Sequence, residues 1–544
     1  MEQQSKFTFI DGPSLASLKS RADRRLLRSQ LVTRALRKKK SPSTQRNNAN
    51  DAAIRESVQD IEQLAGTRGR RILPATPKSA DQAPWTGPRG LPGRSNGLQL
   101  SSAVSGSRKD PFGVCYPPST VDKRCHELID YCITAMWPGW RTLDDYPMQL
   151  YRSLIPLAAS NPHVHYAFLL CASTHLASQS GRRAELQLEQ LRYSSKALLS
   201  VRQAISSASC FDVEALLTAM IFLAMNNDVS LEAHHDTNPF APPFTDMQWL
   251  SHYARSELQP EHWKAIQIVV EKHGGAANLT VFAMPWLLSY AALIQSAISF
   301  SKPIYPLLQP DGRLYADIPT KAFLGEIYQA PPVSSGFAYL QSAGIPEKLV
   351  IVFSGLGRLS RALQMLSDGS VDRPYYDRIG DYRNLVQHRL LSLPTANDLR
   401  EPILVDRTAL QPILNLYDAC RMTALLYSTH VTFPIPRTAS QREDVVTSHR
   451  NKLLATGPHI SQSTEALELL LWCTVIGGIA SEHGTHRHWY TTEVKRLSSL
   501  CGVQSCLQLM ETMERFAWME KACQACACAL WNAADGDSRI THEQ

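Results

Sequence analysis

From residue 110 onward, apolar residues recur three and four positions apart, the spacing that gathers them on one face of an α-helix. Val164, Phe168, Leu169, Ala172 and Leu176 follow Asn161-Pro162, a capping residue and a proline suited to a first turn. A second run holds Leu216, Met220 and Leu223. A third holds Trp263, Ile266, Val269 and Val270 and stops at Gly274-Gly275, as helices commonly do at a C-terminal glycine. Further helices are predicted over 346–367, 405–428, 463–482, 486–500 and 503–531. The stretch 301–340, rich in Pro, Gly and Tyr, reads as a long non-helical excursion, and 429–440, around Pro434 and Pro436, as a shorter one. Alternating β-branched runs closed by hairpin dipeptides are scarce, and no fixed-period repeat stands out. The pattern predicts an all-α fold built around a large multi-helix domain.

The N-terminal residues follow other rules. Residues 13–40 read as one helix with a thin apolar stripe, Leu27, Leu31 and Ala35, on a basic surface. Lys19, Arg21, Arg24, Arg25, Arg28, Arg34, Arg37, Lys38, Lys39 and Lys40 place ten cations in 22 residues, opposed by Asp23. From Ser41 to Lys109 there are 6 Pro and 7 Gly, many Ser, Asn and Arg, and Trp85 as the one aromatic. Such a composition cannot bury enough apolar surface to offset chain entropy, so it is expected to be a disordered linker. Within it, Ile54, Val58, Ile61 and Leu64 sketch a solvated nascent helix or a docking segment. The chain therefore parses into a basic segment 1–40, a linker 41–109 and a helical domain 110–544.

Charge sharpens this division. The formal net charge is +7, but residues 1–110 hold 21 Lys and Arg against 9 Asp and Glu, leaving 35 against 40 for the rest. A basic arm on a mildly acidic body suits a polyanion or a nuclear import receptor. Arg37-Lys38-Lys39-Lys40 is a compact run of the nuclear-localisation type, and Arg24, Arg25, Arg28 and Arg34 extend it as candidate DNA phosphate contacts. Ser41-Pro42 follows directly, so a phosphate there would weaken the field of the run. The longest apolar stretch, Ala466 to Ala480, is interrupted by Glu468 and falls short of the roughly 20 residues a bilayer needs. No membrane partner is expected, and residues 1–14 lack the pattern of a secretory signal. The 12 cysteines sit in helical, apolar contexts, which suits reduced thiols in the cytosol or nucleus.

Candidate chemistry is sparse. Asp144-Asp145 resembles the start of an aspartate-rich magnesium motif, but Met148 and Gln149 stand where a third carboxylate is needed. A loop or helix-cap role is the expected one. His234-His235-Asp236 lies in a polar segment without the further ligands a metal phosphohydrolase requires. His483, His486 and His488 are close enough to share a zinc, yet they fall in a connecting turn where histidine is an ordinary capping residue. Cys523, Cys526 and Cys528 lie on one predicted helix without a second pair, and are read as small buried apolar residues. No nucleophile elbow, phosphate loop or dinucleotide fingerprint appears. No catalytic, metal-binding or cofactor-binding residue is assigned, and the chain is not expected to be an enzyme. The basic helix does not continue into leucine heptads, and the first 110 residues contain no cysteine with which to build a zinc cluster.

Several stretches together carry a family likeness. They are Asp110-Pro111-Phe112; His262-Trp263 through His273-Gly274-Gly275-Ala276-Ala277-Asn278-Leu279; Trp286; Lys302-Pro303-Ile304-Tyr305-Pro306; Ala419-Cys420-Arg421 through Leu425-Leu426-Tyr427; and above all 469–531, with Trp489, Trp518 and Leu530-Trp531. The helical region resembles the fungal-specific transcription factor domain. Phe7-Thr8-Phe9-Ile10 and Arg28-Ser29-Gln30-Leu31-Val32 are similar to the opening found in that family, departing from it at Gln30 and Val32. The resemblance implies a nuclear regulator of RNA polymerase II transcription, often of a metabolic or secondary-metabolite gene set. Its implied partners are a nuclear import receptor, DNA, and the transcription machinery or a DNA-binding partner protein, with pairing into a homodimer left open. The alternatives are a co-regulator or scaffold that does not bind DNA itself, and an all-helical metabolic enzyme.

Overall fold

Burying a stripe of apolar side chains is what commits each periodic segment to a helix, and the computed structural model shows those stripes packed on one another. It describes residues 123–540 except 207–211, 227–235, 256–259, 330–334, 371–374, 401–406 and 458–462. The basic segment 1–40, with the candidate residues Arg24 to Lys40, and the linker 41–109 lie outside the described residues. The chain divides into two units, Tyr131–Ala197 with Val213–Gln544, and Met1–Asp130 with Leu198–Asp212. The packing described below is that of the first.

The long helices are α1 (Tyr146–Ser160), α2 (Pro162–Ser180), α3 (Arg183–Ser206), α4 (Val213–Met225), α5 (Pro260–Lys272), α6 (Met284–Ser299), α7 (Glu347–Ser367), α8 (Tyr375–Leu391), α9 (Arg407–Tyr427), α10 (Ala439–Leu454), α11 (Thr464–Ala480), α12 (Arg487–Leu500) and α13 (Glu520–Ile540). Among the described residues there is no strand, only an isolated bridge between Leu308 and Leu314. The fold is all-α. In the first half, α2 packs on α1 and α4, and α4 on α5 and α6; in the second, α9, α10 and α11 pack mutually and α11, α12 and α13 do the same. Between the halves, α8 packs against α6, α7, α9 and the short helix Thr320–Leu324.

Local chemistry explains most boundaries. After α5, Gly274 and Gly275 take φ of 94° and 105°, which a side chain resists, and their N–H groups return to the Glu271 and Val270 carbonyls at 3.0 and 2.9 Å. Asn161 does sit at the N-cap of α2, but its side chain does not cap; it donates to the Leu157 carbonyl at 3.0 Å. The helix expected over 503–531 is in fact two, Cys506–Met513 and α13. Between them Phe516, Ala517, Trp518 and Met519 are buried. The Trp472 indole donates to the Ala517 carbonyl at 3.0 Å, and the Lys521 amide donates to Gln364 Oε1 at 3.2 Å. Both groups that would close the helical turn there are engaged elsewhere, and aromatic burial outweighs helix continuation.

The sequence pattern did not single out α1, α3, α6, α8 or α10. Nor did it single out α7 as an apolar span, although α7 is long and apolar enough to cross a membrane, with a mean hydropathy of 1.3 over its most apolar window. Half of that window is buried inside the fold, and the Tyr382 hydroxyl of α8 donates to the Gly355 carbonyl at its centre. We read it as a core helix.

α11 is buried around nearly its whole circumference, from Ala466 to Ala480, as a central helix must be. Two glycines let its neighbours close in: a Cβ at Gly477 would lie 2.5 Å from the Tyr490 ring and 2.6 Å from that of His449, and one at Gly478 would lie 2.6 Å from Leu530. Gly477→Ala is therefore expected to destabilise the fold by about 1–3 kcal/mol despite the better helix propensity of alanine. Urea denaturation checks this, and an unchanged or raised midpoint would contradict the close packing.

Candidate functional site

The sequence of α8, YYDRIGDYRNLVQHRLL, is polar enough for a surface helix, yet Asp377, Asp381, Arg383, Asn384 and Gln387 are all at most 6% exposed. Buried charges persist only when neighbours replace the lost water, and here the replacements come from distant segments. Asp381 accepts from the Arg141 guanidinium and, at 3.2 Å, from Gln248 Nε2. Arg141 also donates to the Tyr315 hydroxyl at 3.0 Å. Asp377 Oδ2 accepts from Thr142 N and Oγ1, both at 2.7 Å, and from Leu143 N at 2.9 Å. Arg383 donates to the Met247 carbonyl, Gln248 Oε1 and Asn384 Oδ1 at 3.1 Å each, and lies 5.0 Å over the Phe433 ring. Asn384 Nδ2 donates to Gln248 Oε1 at 2.8 Å, and Gln387 accepts from Ser428.

Burial pushes the Asp381 carboxyl above its ordinary range, with Arg141 pulling the other way. For Arg141, burial disfavours the charge, but Asp381 and Tyr315 more than offset it and hold the guanidinium protonated. Asp246, raised by burial, is drawn down by Ser251, Arg255 and Arg383.

The two segments that dock on α8 carry the same backbone signature. Asp144 and Asp145 have φ of 58° and 53°, and Gln248 and Trp249 have φ of 55° and 56°. Left-handed conformations in non-glycine residues cost roughly 1–2 kcal/mol apiece. At both places the cost is borne where the chain bends to present Arg141 or Gln248 to Asp381. Trp249 is held by its indole donating to the Met136 carbonyl at 2.8 Å, and a Cβ at Gly139 would lie 2.1 Å from its ring. Trp140, Tyr146, Trp286 and Tyr290 pack beside this network in successive ring contacts of 5.1–6.3 Å.

A second buried polar contact joins α9, α10 and α12. The Thr423 hydroxyl donates to the Ala419 carbonyl at 2.8 Å, so its remaining contact, His449 Nε2 at 2.8 Å, must be the donor. The Tyr490 hydroxyl lies 2.7 Å from the other ring nitrogen and also donates toward the Val446 carbonyl at 3.3 Å. Burial lowers the pKa of His449 to about 3 and keeps the imidazole neutral. His430, donating to the Leu426 carbonyl at 2.8 Å, is lowered by burial to about 4.

The residues singled out from sequence do not assemble with this network, except at its edge. Asp145 occupies the N-cap position of α1 without a side-chain bond, and Asp144 meets Arg141 at 3.3 Å. His234 and His235 lie outside the described residues, while Asp236 pairs with Arg442. His486 contacts Thr447 at 2.9 Å, and His488 belongs to α12 rather than to the connecting turn. Among the described residues no three His, Cys, Asp or Glu side chains are placed to hold a metal. Cys523 is buried as expected, but Cys526 and Cys528 are half-exposed, a correction to their reading as core residues. The turn of the helix that buries Cys523 carries its two neighbours toward the surface. The sequence pattern gave no reading of α8, whose apolar positions are interrupted by charged ones. The available signal was Asp377, Asp381 and Asn384 at i, i+4 and i+7, a polar stripe flanked by Tyr375, Tyr376 and Tyr382.

A family model described as the fungal specific transcription factor domain matches residues 143–531, which takes in the whole network apart from Arg141 and Thr142. No curated protein and no solved structure matches the chain.

Asp381→Ala is expected to cost about 3–5 kcal/mol of stability by stranding Arg141, whereas Arg141→Met combined with Asp381→Leu costs less than the sum of the two single changes. A double-mutant cycle by chemical denaturation measures this, and strict additivity would exclude the pairing. The imidazoles set an acid limit. An unfolded histidine titrates near 6.5 and folded His449 near 3, so the unfolded chain takes up the proton first as pH falls. The stability that neutral His449 contributes is full above about 6.5 and lost progressively toward 3. Between pH 7 and 5, wild type should lose roughly 1–2 kcal/mol more than His449→Gln. Equal losses in the two proteins would exclude this assignment.

Proposed function

The chain belongs to the fungal-specific transcription factor domain family, and on that premise we propose that it is a nuclear regulator of RNA polymerase II transcription whose targets form a metabolic or secondary-metabolite gene set. The coarser statement, a transcription regulator of fungal type, follows from membership itself. The observation that carries the proposal is the family match over the helical body, residues 143–531. It is joined to an N-terminal segment in which Arg37, Lys38, Lys39 and Lys40 form a basic run. In this reading the run engages an import receptor, with Arg24, Arg25, Arg28 and Arg34 available for phosphate contacts. The helical body receives a signal and passes it on. Such a domain needs a defined shape more than a reactive group. The α8 network supports this: its charges are engaged with each other and with backbone groups.

One observation favours a second reading, a co-regulator that reaches promoters through a DNA-binding partner protein. The first 110 residues contain no cysteine, so no zinc cluster can be built there.

Localisation and chromatin occupancy of the tagged protein, with and without Arg37, Lys38, Lys39 and Lys40 changed to Ala, test the proposal. Wild type should accumulate in the nucleus at discrete promoters, and the variant should lose most of that occupancy. Cytoplasmic residence of both forms would overturn it. Promoter occupancy by a chain that fails to retain promoter DNA when purified would select the co-regulator.

A further inference from the structure

Arg437 lies between the π-helical turn Ser428–Thr432 and α10 and is 6% exposed. Its two terminal nitrogens close the end of α6. Nη1 donates to the Ile298 carbonyl at 3.0 Å, and Nη2 to that of Ala297 at 2.9 Å. The Phe300 ring covers the guanidinium, with its centre 4.6 Å from the guanidinium carbon. Phe300 is held there at a φ of 52°, a left-handed conformation that residues with a side chain resist. The third donor, Nε, is buried, and among the described residues it meets no acceptor.

The charges around it do not balance. Asp236 donates its amide to the Arg437 carbonyl at 2.8 Å, but its carboxylate pairs with Arg442. His430 is neutral: burial lowers it to about 4, and Arg437 and Arg442 both oppose its proton. The end of α6 supplies roughly half a negative charge, which offsets part of one guanidinium. Burial pulls Arg437 down to about 10, and no carboxylate draws it back. Two guanidiniums thus share one carboxylate and one helix end.

We propose that Arg437 is the anchor of a binding site for a small monocarboxylate, which takes the free edge of the guanidinium and locks the end of α6 to the segment leading into α10. A guanidinium is planar, and on that edge Nε–H and the second hydrogen of Nη2 stand side by side, spaced for the two oxygens of one carboxylate. A single open edge and less than one unit of unbalanced charge suit a monoanion. A phosphate dianion would bring a second charge that burial penalises. Phe300 on the guanidinium, and Phe240 with its ring 5.4 Å from that of His430, suit an apolar body behind the carboxylate. Entry requires the cover of Nε to move, and Phe300, on strained backbone at a helix end, is that cover. Because α6 packs on α8, the bound acid acts on the helix that carries the buried charge network. The inference rests on the reading of the helical body as the receiver of a signal and gives that signal a chemical class.

The test uses the folded full chain. Its probes are acetate, butyrate and benzoate against the neutral acetamide, butyramide and benzamide, with chloride and inorganic phosphate at matched ionic strength. Expected are saturable binding of a carboxylate by calorimetry, a rise in Tm of roughly 2–5 °C at saturation, and slowed hydrogen exchange in peptides covering 294–301 and 433–441. The amides and chloride should produce none of these. Arg437→Lys keeps the charge without the two-donor edge and should weaken binding at least about tenfold, while Arg437→Gln should abolish it. Arg450→Gln, which removes a guanidinium stacked on Trp489, should leave it intact. If the Arg437 variants fail to fold, the exchange map of the wild type decides. Equal response to amide and acid, preference for phosphate or chloride, undiminished binding by folded Arg437→Lys, protection elsewhere in the chain, or no binding of any acid would each overturn the proposal. Binding is read on the purified chain and localisation in cells, so this inference and the regulator reading fail separately.

Discussion

The arrangement of this domain depends on one constraint: the charges of α8 are inside. A carboxylate or guanidinium removed from water is tolerated only if neighbours reconstitute its solvation, and α8 has several at most 6% exposed. Arg141 must reach Asp381, Thr142 and Leu143 must donate to Asp377, and Gln248 must serve Asp381, Arg383 and Asn384 together. Those demands fix where the segments before α1 and after α4 lie on the helix, and they account for the left-handed backbone at 144–145 and 248–249. An apolar α8 would pack as well or better, but it would not dictate which residue meets which. The network therefore contributes to specificity of arrangement more than to net stability, a role known for some buried polar clusters.

The apolar elements were legible in the sequence because their signal is local. Val164 to Leu176 and Trp263 to Val270 each carry their own periodicity, and Gly274-Gly275 carries its own stop. α8 was not legible, because the residues that make its charges tolerable are 240 positions away at Arg141 and 133 away at Gln248. Read alone, Asp377 and Arg383 describe a solvated face. The break at 514–519 was hidden for the same reason: Trp472 and Gln364, which take up the backbone groups of Ala517 and Lys521, lie far upstream. The half-exposure of Cys528 depends on how α13 rolls against its neighbours, which helical periodicity did not determine while 503–531 was read as one helix.

The family is recognisable from these same structural residues rather than from any reactive group. Of the residues that carry the likeness, Trp286, Tyr427, Trp518 and Leu530 are buried, while Trp489 and Trp531 are part-exposed. The basic run Arg37 to Lys40, by contrast, is visible through charge alone, because charge density acts without a fold.

The long reach of the α8 network also orders events in time. The chain is made from its N-terminus, so Arg141, Gln248 and the aromatic cluster of Trp140, Tyr146 and Trp286 emerge well before Asp381 exists to receive them. The early half can form helices and collapse, but its guanidinium has no buried carboxylate partner, and the Gln248 side chain lacks Asp381, Arg383 and Asn384, until α8 is synthesised. During that interval they are best kept in water, leaving the neighbouring aromatic surface only partly covered. Biosynthesis of this domain therefore passes through a stage in which more than two hundred residues wait on one helix, the situation in which nascent chains depend on chaperones. A polar helix at the centre, whose value in the finished protein is precision, is in the growing chain a reason for delay.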